Sequence, residues 1–279
     1  MGVVRVQHSH EVLLGRRTNA NPPREEANAT PCISLEEIRL ESSPMSETID
    51  NTPVMCVHGW GGSFATTWER NGFTALLADA GRPVIGVDLL GHGEAPKPHE
   101  PEAYADLTTR VVDALPDDGT AIDAVGFSMG AMTLLRTATE HPGAFRRLVL
   151  AGIGKNVFER DNDRITKIVA AVDGNGDPED NVSRLFAQYA GQAGNDSAAL
   201  SAVLKQPQRI RLTDESLAGV NCEILVIVGD KDFVYPADQL VDALPNAQGA
   251  VLKNVDHFAT PESFDFVDAV LEFLDAIPT

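Results

Sequence analysis

A serine lies between two glycines in the run Gly126-Phe127-Ser128-Met129-Gly130. By composition alone such a pattern occurs in roughly one chain in ten of this length, so its surroundings must decide its meaning. Residues 121–125 before it are mainly apolar and predict a buried strand, and residues 131–136 after it predict the start of a helix. A serine in a sharp strand-to-helix turn exposes its hydroxyl, and this context predicts that Ser128 is a nucleophile.

The two glycines and the following helix suit the same chemistry. In a turn this tight, a side chain at Gly126 or Gly130 would collide with neighbouring backbone. The helix N-terminus places positive partial charge where an oxyanion develops during acyl transfer, and the backbone N–H of Met129 is one expected donor to that oxyanion. The alternative is a serine that only shapes the turn.

A serine hydroxyl becomes a good nucleophile only beside a base, and histidine is the usual base. The chain has seven histidines. Among them, His257 follows a predicted strand at 250–252 and precedes the last predicted helix, so it should return to the edge of the sheet near Ser128. We therefore predict that His257 is the general base, whereas His141 is expected to cap the end of the helix that follows Ser128.

The base needs an acid that orients it. A predicted strand at 224–228 ends in Gly229-Asp230-Lys231-Asp232-Phe233, so two aspartates lie at its carboxyl end. Asp256 adjoins His257 in the sequence, but neighbours on an extended segment point to opposite sides, and we discount it. Asp230 and Asp232 both remain candidates from the pattern alone.

From residue 53 onward, short apolar runs alternate with helical stretches, which indicates βαβ units and an α/β fold. Strands are predicted at 54–57, 84–87, 122–126, 148–151, 224–228 and 250–252, and helices at 65–80, 102–115, 129–141, 236–244 and 261–276. We expect a mostly parallel central sheet of about 6–8 strands, flanked by helices.

One interval breaks this alternation. Residues 154–218 show no convincing strand, and the segments 182–189 and 198–204 are amphipathic at helical spacing. We predict a short helical cap at 154–218, inserted into an α/β core formed by residues 32–153 and 219–279. The alternative is a disordered insertion.

The beginning of the chain differs from the rest. Residues 1–31 are rich in Asn, Arg, Glu and Pro without a sustained period, which predicts a flexible extension, and residues 32–50 could hold one or two short edge strands. No apolar run approaches the ~20 residues of a membrane-spanning helix, and no signal-peptide pattern is found.

The charge and the cysteines exclude several classes of function. A formal net charge of −19 should repel phosphate backbones and anionic lipid, which argues against nucleic-acid and membrane partners. The three cysteines, Cys32, Cys56 and Cys222, show no spacing typical of a disulfide framework or a zinc site. A reducing, cytoplasmic location is the simplest interpretation. The expected chemistry requires no metal and no organic cofactor.

Two further blocks complete the pattern. The predicted strand at 54–57 runs into His58-Gly59-Trp60-Gly61-Gly62, and the next strand runs into Asp88-Leu89-Leu90-Gly91-His92-Gly93-Glu94-Ala95. With these blocks and the order Ser…Asp…His, residues 53–276 resemble the α/β-hydrolase superfamily, in its serine-nucleophile, esterase- or lipase-like branch.

The resemblance assigns further roles. The Gly-x-x-Asp pattern of the family implies that Asp232 is the acid, with the reverse assignment to Asp230 left as the alternative. The His-Gly-x-x-Gly block implies a second oxyanion donor at the backbone N–H of Trp60, while His58 and Gly59 shape the loop. The indole of Trp60 would wall the acyl pocket or belong to the core.

The block that begins at Asp88 has one departure from the family. Ala95 replaces the usual serine, which affects the anchoring of a loop and leaves the triad intact. Asp88 and His92 are interpreted as structural residues.

These residues predict a serine hydrolase that acts through an acyl-enzyme, most simply on a small carboxylic ester. A lactone, a thioester, a carbon–carbon bond between ketones, or perhydrolysis without a cofactor are alternatives. A small-molecule binding protein or an acyltransferase could carry the same residues. The expected partner is a small-molecule acyl substrate, and the sequence makes no prediction of oligomeric state.

Overall fold

The computed structural model of the chain describes residues 50–207 and 210–278. Six strands of these residues form one sheet in the order β2-β1-β3-β4-β5-β6, and every neighbouring pair is parallel. The strands are β1 Val54–Val57, β2 Val84–Val87, β3 Ile122–Phe127, β4 Phe145–Ala151, β5 Glu223–Gly229 and β6 Ala247–Leu252. The predicted α/β class with a parallel sheet is confirmed, and the last four strands are longer than predicted.

The helices follow the strands in the alternation that the sequence predicts. They are α1 Phe73–Asp79, α2 Thr109–Val112, α3 Met129–Glu140, α4 Asn162–Val172, α5 Asn181–Ala190, α6 Ser197–Leu204, α7 Asp214–Ala218, α8 Asp238–Ala243 and α9 Phe264–Phe273. A π-helical turn spans Ala65–Glu69, and 3-10 turns span Pro101–Tyr104, Lys155–Val157 and Thr260–Glu262.

Both faces of the inner strands β1, β3, β4 and β5 are largely buried, which explains why these strands are mainly apolar. Along β5, Ile224 and Val226 belong to one core cluster with α3 and α8, whereas Leu225 and Ile227 belong to a second cluster with α1 and α9. Successive side chains of a strand point to opposite faces, so one apolar strand serves two cores.

The predicted helix at 65–80 is wrong as a single helix. It is divided at Gly72, whose φ of 84° lies in the left-handed region that ends helices. The Asn71 side chain accepts a hydrogen bond from Phe73 N at 3.1 Å, which satisfies a donor at the start of α1.

The predicted helix at 102–115 is also wrong. A 3-10 turn and the four-residue α2 replace it. Asp106 Oδ1 accepts hydrogen bonds from Thr108 N at 2.8 Å and Thr108 Oγ1 at 2.6 Å. An aspartate that binds the backbone two residues ahead offers the chain an alternative to the helix.

The start of β3, the strand that leads to Ser128, is held by buried charges. The guanidinium of Arg82 is buried and donates hydrogen bonds to Asp123 and to the Leu274 carbonyl. Arg146 Nε donates to the other oxygen of Asp123 at 2.9 Å. Because both carboxylate oxygens of Asp123 are bound, the amino end of β3 has one well-defined position.

The described residues between β4 and β5 are helical. Helices α4, α5 and α6 each begin after an aspartate whose side chain accepts a hydrogen bond from a backbone N–H of the first turn, namely Asp161, Asp180 and Asp196. Aspartate is a favoured residue at this position because it satisfies a free donor and suits the helix dipole. Helix α4 packs against both α5 and α6.

Several predictions fall on other parts of the chain. The extension at 1–31, Cys32 and the edge strands proposed before Asp50 lie outside the described residues. Within the described residues, Cys56 and Cys222 are free thiols. No helix in this part of the chain has the length and apolar character needed to cross a bilayer.

Candidate active site

Ser128 occupies a strained turn between β3 and α3. Its backbone has φ 53° and ψ −111°, a conformation that non-glycine residues rarely adopt. The Ser128 N–H donates to the Ala151 carbonyl at 2.7 Å, so the neighbouring strand β4 holds the turn. Strain of this kind persists only where the surrounding structure enforces it, and it is concentrated at functional sites.

The two glycines that flank this turn are required by their surroundings. A Cβ atom at Gly126 would lie 2.7 Å from the Ala131 nitrogen. A Cβ atom at Gly130 would collide with the carbonyl oxygens of Val57 and His58. The predicted collision with backbone therefore exists at both positions, and the close approach packs α3 against the end of β1.

Three side chains from distant parts of the chain form a continuous hydrogen-bonded series. His257 Nε2 lies 2.9 Å from Ser128 Oγ, and His257 Nδ1 lies 2.8 Å from Asp232 Oδ2. The carboxylate can only accept, so Nδ1 carries the hydrogen and Nε2 is free to accept from the serine hydroxyl. His257 and Asp232 are 4% and 5% exposed, whereas Ser128 is half-buried and can be reached by a small molecule.

The other aspartates make different contacts. Asp230 Oδ1 accepts a hydrogen bond from Asn254 N at 2.7 Å, in the turn after β6. Asp256 is exposed and accepts from Ala259 N at 3.0 Å. Of these three aspartates, Asp232 is therefore the one whose side chain is hydrogen-bonded to His257.

Aromatic rings surround His257. The ring centroid of Phe233 lies 4.4 Å from that of His257, and Phe127 lies 5.0 Å away. Phe258 meets His257 edge-on at 5.6 Å. Packing of this kind restricts the imidazole to one orientation. Phe233 and Phe258 directly follow the predicted acid and base in the sequence, and this adjacency is the one local signal of their contact with the imidazole.

The loop at residues 58–62, which is the predicted oxyanion loop, is anchored by His58. Leu89 N donates to His58 Nε2 at 3.1 Å, so Nε2 is the acceptor and Nδ1 carries the hydrogen that is donated to the Gly59 carbonyl at 2.7 Å. Burial lowers the pKa of His58, because the charged form loses its hydration. This neutral histidine therefore ties the loop to the segment after β2.

Asp88 also anchors this region, because its carboxylate accepts hydrogen bonds from two backbone N–H groups. Its Oδ1 accepts from Phe64 N at 2.7 Å and its Oδ2 accepts from Glu94 N at 2.8 Å. Ala95, which stands where the family has serine, is 3% exposed. The carboxylate of Asp88 therefore joins the segment that follows the oxyanion loop, at Phe64, to the segment after β2, at Glu94.

The predicted oxyanion donors lie on elements next to the nucleophile. Met129 is the first residue of α3, and the first N–H groups of a helix have no partner within the helix. On the oxyanion loop, a Cβ atom at Gly59 would lie 3.4 Å from Ser128 Cβ. Gly59 therefore lies close to Ser128, and Trp60 is the next residue on the same loop.

The indole of Trp60 faces the helical segment between β4 and β5. Trp60 Nε1 donates to the Leu200 carbonyl in α6 at 3.1 Å. Its ring lies 5.1 Å from Phe186 of α5, and it packs against a small cluster that includes Tyr104 and Val203. Trp60 is half-buried and contacts both this cluster and helix α5.

Helix α5 contributes side chains that the sequence analysis placed only in an apolar face. Phe186 lies 5.5 Å from Phe258 and 6.5 Å from Phe233, ring centroid to ring centroid. Tyr189 stacks on Phe258 at 5.2 Å. Helix α5 thus adds half-buried aromatic rings to the group of rings around His257.

His92, whose ring lies beside that of His58, is buried, and one of its two ring nitrogens has no hydrogen-bond partner. Its Nδ1 donates to the Leu90 carbonyl at 3.0 Å, while Nε2 has no partner. Burial, with the adjacent ring of His58 at 5.0 Å, lowers the pKa of His92 to about 3. The folded protein therefore keeps this imidazole neutral.

The low pKa of His92 predicts acid sensitivity. Below the usual pKa of 6.5, the unfolded chain binds a proton that the folded chain does not, so stability falls as the pH falls towards 3. Between pH 7 and pH 5 we expect the free energy of unfolding to drop by about 2 kcal/mol from this residue. Urea unfolding at the two pH values measures the drop, and it should shrink in a His92→Asn variant. An unchanged drop in that variant would contradict this origin.

No group of three or more metal-binding side chains occurs within residues 50–207 and 210–278.

Comparison with known proteins places this geometry in context. A sequence model of the "Alpha/beta hydrolase family" matches residues 54–270. A pimeloyl-[acyl-carrier protein] methyl ester esterase of Neisseria meningitidis is 37% identical over 101 residues, which are 35% of this chain and 35% of that protein. The chain thus spans about a third of the length of the curated relatives it matches first.

Solved structures share the fold at low sequence identity. An esterase from Exiguobacterium antarcticum has a TM-score of 0.63 at 20% identity, over 80% of this chain and 92% of that one. A bromoperoxidase from Bacillus anthracis has a TM-score of 0.58 at 23% identity, over 81% and 92%.

Proposed function

Because the chain belongs to the α/β-hydrolase family, we propose that it is a serine hydrolase that cleaves small carboxylic esters through an acyl-enzyme. The observation that carries the proposal is the series Asp232–His257–Ser128, with contacts of 2.8 and 2.9 Å, at a strained turn where Ser128 is half-buried. The nucleophile, base and acid are Ser128, His257 and Asp232 in that order.

The proposed cycle has two halves. In the first, His257 Nε2 takes the proton of Ser128 as Oγ attacks the ester carbonyl carbon, and the backbone N–H groups of Trp60 and Met129 stabilise the oxyanion. Collapse of the intermediate breaks the bond to the alcohol, which leaves with the proton from His257. In the second half, water gives a proton to His257 and attacks the acyl-enzyme, and collapse returns that proton to Ser128.

Asp232 supports both halves of the cycle. Its carboxylate holds the imidazole by Nδ1 and stabilises the imidazolium that forms when Nε2 is protonated. Burial of the pair strengthens this interaction, because little solvent screens it.

The helical segment formed by the described residues of 154–218 is proposed as the cap, over a core that includes the described residues 50–153 and 219–278. Support comes from the side chains that α5 and α6 present to the site, Phe186 and Tyr189 among them. The apolar aromatic walls favour a neutral acyl group, and the methyl ester esterase relative agrees with an ester as substrate.

Turnover of a small panel of substrates tests the proposal. We expect hydrolysis of a nitrophenyl ester and a methyl ester. With the activated nitrophenyl ester, where acylation is faster than deacylation, an initial burst of nitrophenol should equal the enzyme concentration. A lactone and a thioester of the same acyl group serve as comparison substrates. Covalent labelling by a fluorophosphonate without turnover of any of the four would instead indicate a binding protein.

A further inference from the structure

The oxyanion loop is held by the helical segment between β4 and β5 as well as by His58. Asn195, in the connection between α5 and α6, donates from Nδ2 to the Gly61 carbonyl at 2.8 Å and to the Tyr189 carbonyl at 2.8 Å. One side-chain amide thus joins the oxyanion loop to the last turn of α5. The sequence separation between Asn195 and Gly61 is 134 residues.

The chemistry of this junction demands an amide nitrogen. Both acceptors are carbonyl oxygens, so the side chain of Asn195 must present its NH2 group and use both hydrogens. An aspartate of the same shape would place an oxygen against two oxygens, and an alanine would leave both carbonyls without this donor.

The backbone of the loop fits against the same helix. Gly61 has φ 75°, and a Cβ atom there would lie 3.3 Å from Tyr189 Cβ. One residue earlier, the Trp60 indole donates to the Leu200 carbonyl of α6 at 3.1 Å. Trp60 and Gly61 are therefore both bound to the helical segment, through the Leu200 carbonyl and through Asn195. The preceding residue, Gly59, accepts a hydrogen bond from His58.

We propose that Asn195 is a positioning residue for the oxyanion hole. By fixing the Gly61 carbonyl, it holds the segment whose Trp60 N–H is to meet the developing oxyanion, so the cap contributes to the rate as well as to substrate selection. The proposal rests on the proposed function, because it assigns the Trp60 N–H to the oxyanion. Donors act fully only when they are held at the place where charge develops.

Kinetics of the full chain with Asn195→Asp and Asn195→Ala test this role. We expect kcat to fall about 10- to 100-fold with KM changed less than about twofold, because the interaction matters mainly in the transition state. Binding of an aryl trifluoromethyl ketone, which forms an oxyanion when Ser128 adds to it, should weaken by the same factor as kcat/KM. Asn181→Asp, an exposed asparagine at the start of α5, is the matched control and should behave as wild type.

Hydrogen exchange gives a readout that needs no turnover. Amide exchange of residues 58–62 should become faster in both Asn195 variants and stay unchanged in Asn181→Asp, with thermal unfolding used to check that each variant is folded. Wild-type turnover decides the proposed function, and the loop exchange decides this proposal. A rise in KM alone, an unchanged affinity for the ketone, or unchanged exchange of the loop in folded Asn195 variants would overturn it.

Discussion

Replacing Ser128 by alanine should lower kcat for ester hydrolysis by about 10⁵- to 10⁶-fold, since the variant keeps the oxyanion donors and loses the nucleophile. The fold should survive, because alanine keeps the Cβ atom that this left-handed position already accommodates and the backbone N–H that donates to Ala151. Hydrolysis of a nitrophenyl ester measures the loss, and labelling with a fluorophosphonate locates the reactive group.

Ser216→Ala is the control for this experiment. Ser216 lies in the exposed first turn of α7, where its hydroxyl donates to the Thr213 carbonyl. We expect this variant to be labelled and to turn over ester within about twofold of wild type, as surface substitutions usually do little. Labelling of the folded Ser128→Ala variant, or of no site in the wild type, would refute the assignment of the nucleophile.

Replacing Asp232 by asparagine should lower kcat by about 10³- to 10⁴-fold. The surroundings fix which way the new amide faces, because Val234 N donates to Asp232 Oδ1 at 2.9 Å and requires an oxygen there. The NH2 group must then face His257 Nδ1, which becomes an acceptor. The proton moves to Nε2, so the imidazole can no longer take the proton of Ser128.

Asp230→Asn is a matched control only two residues away. Asp230 accepts one hydrogen bond from Asn254 N, and an asparagine oxygen can replace that acceptor. We expect kcat of this variant within about twofold of wild type. A large loss in Asp230→Asn with a small loss in Asp232→Asn would reverse the two roles.

The pair of aspartates shows where pattern reading stops. Both aspartates follow the end of β5, in a turn where strand periodicity no longer applies, so the sequence pattern cannot choose between Asp230 and Asp232. The choice came from a resemblance to a family, and the structure adds a physical reason. Asp232 is buried against His257, whereas Asp230 bonds to the backbone of a neighbouring turn.

The two wrong helices have a different cause. Residues 65–80 and 102–115 have apolar positions at helical spacing, but Gly72 and Asp106 interrupt them through local backbone geometry. Amphipathic spacing reports which residues face a core, and it is blind to a glycine or an aspartate that diverts the chain for one turn.

The features that could be predicted from the sequence are those set by residues close together in the chain. Apolar runs alternating with amphipathic stretches specify buried strands and covering helices, and the glycines around Ser128 mark a turn that tolerates no side chain. These features depend on neighbours in the chain, so they can be read without coordinates. They were sufficient for the α/β class, for the parallel sheet and for naming Ser128 and His257 as candidates, whereas the choice of Asp232 over Asp230 needed the family resemblance.

The contacts between the helical segment and the oxyanion loop follow from the tertiary structure alone. Asn195 meets Gly61, and Phe186 meets Trp60, across more than a hundred residues, through the packing of α5 and α6 onto the oxyanion loop. An asparagine in a loop and a phenylalanine on an amphipathic helix carry no local signal of such contacts. Their partners are set by how whole helices dock, which depends on the shape of both surfaces at once.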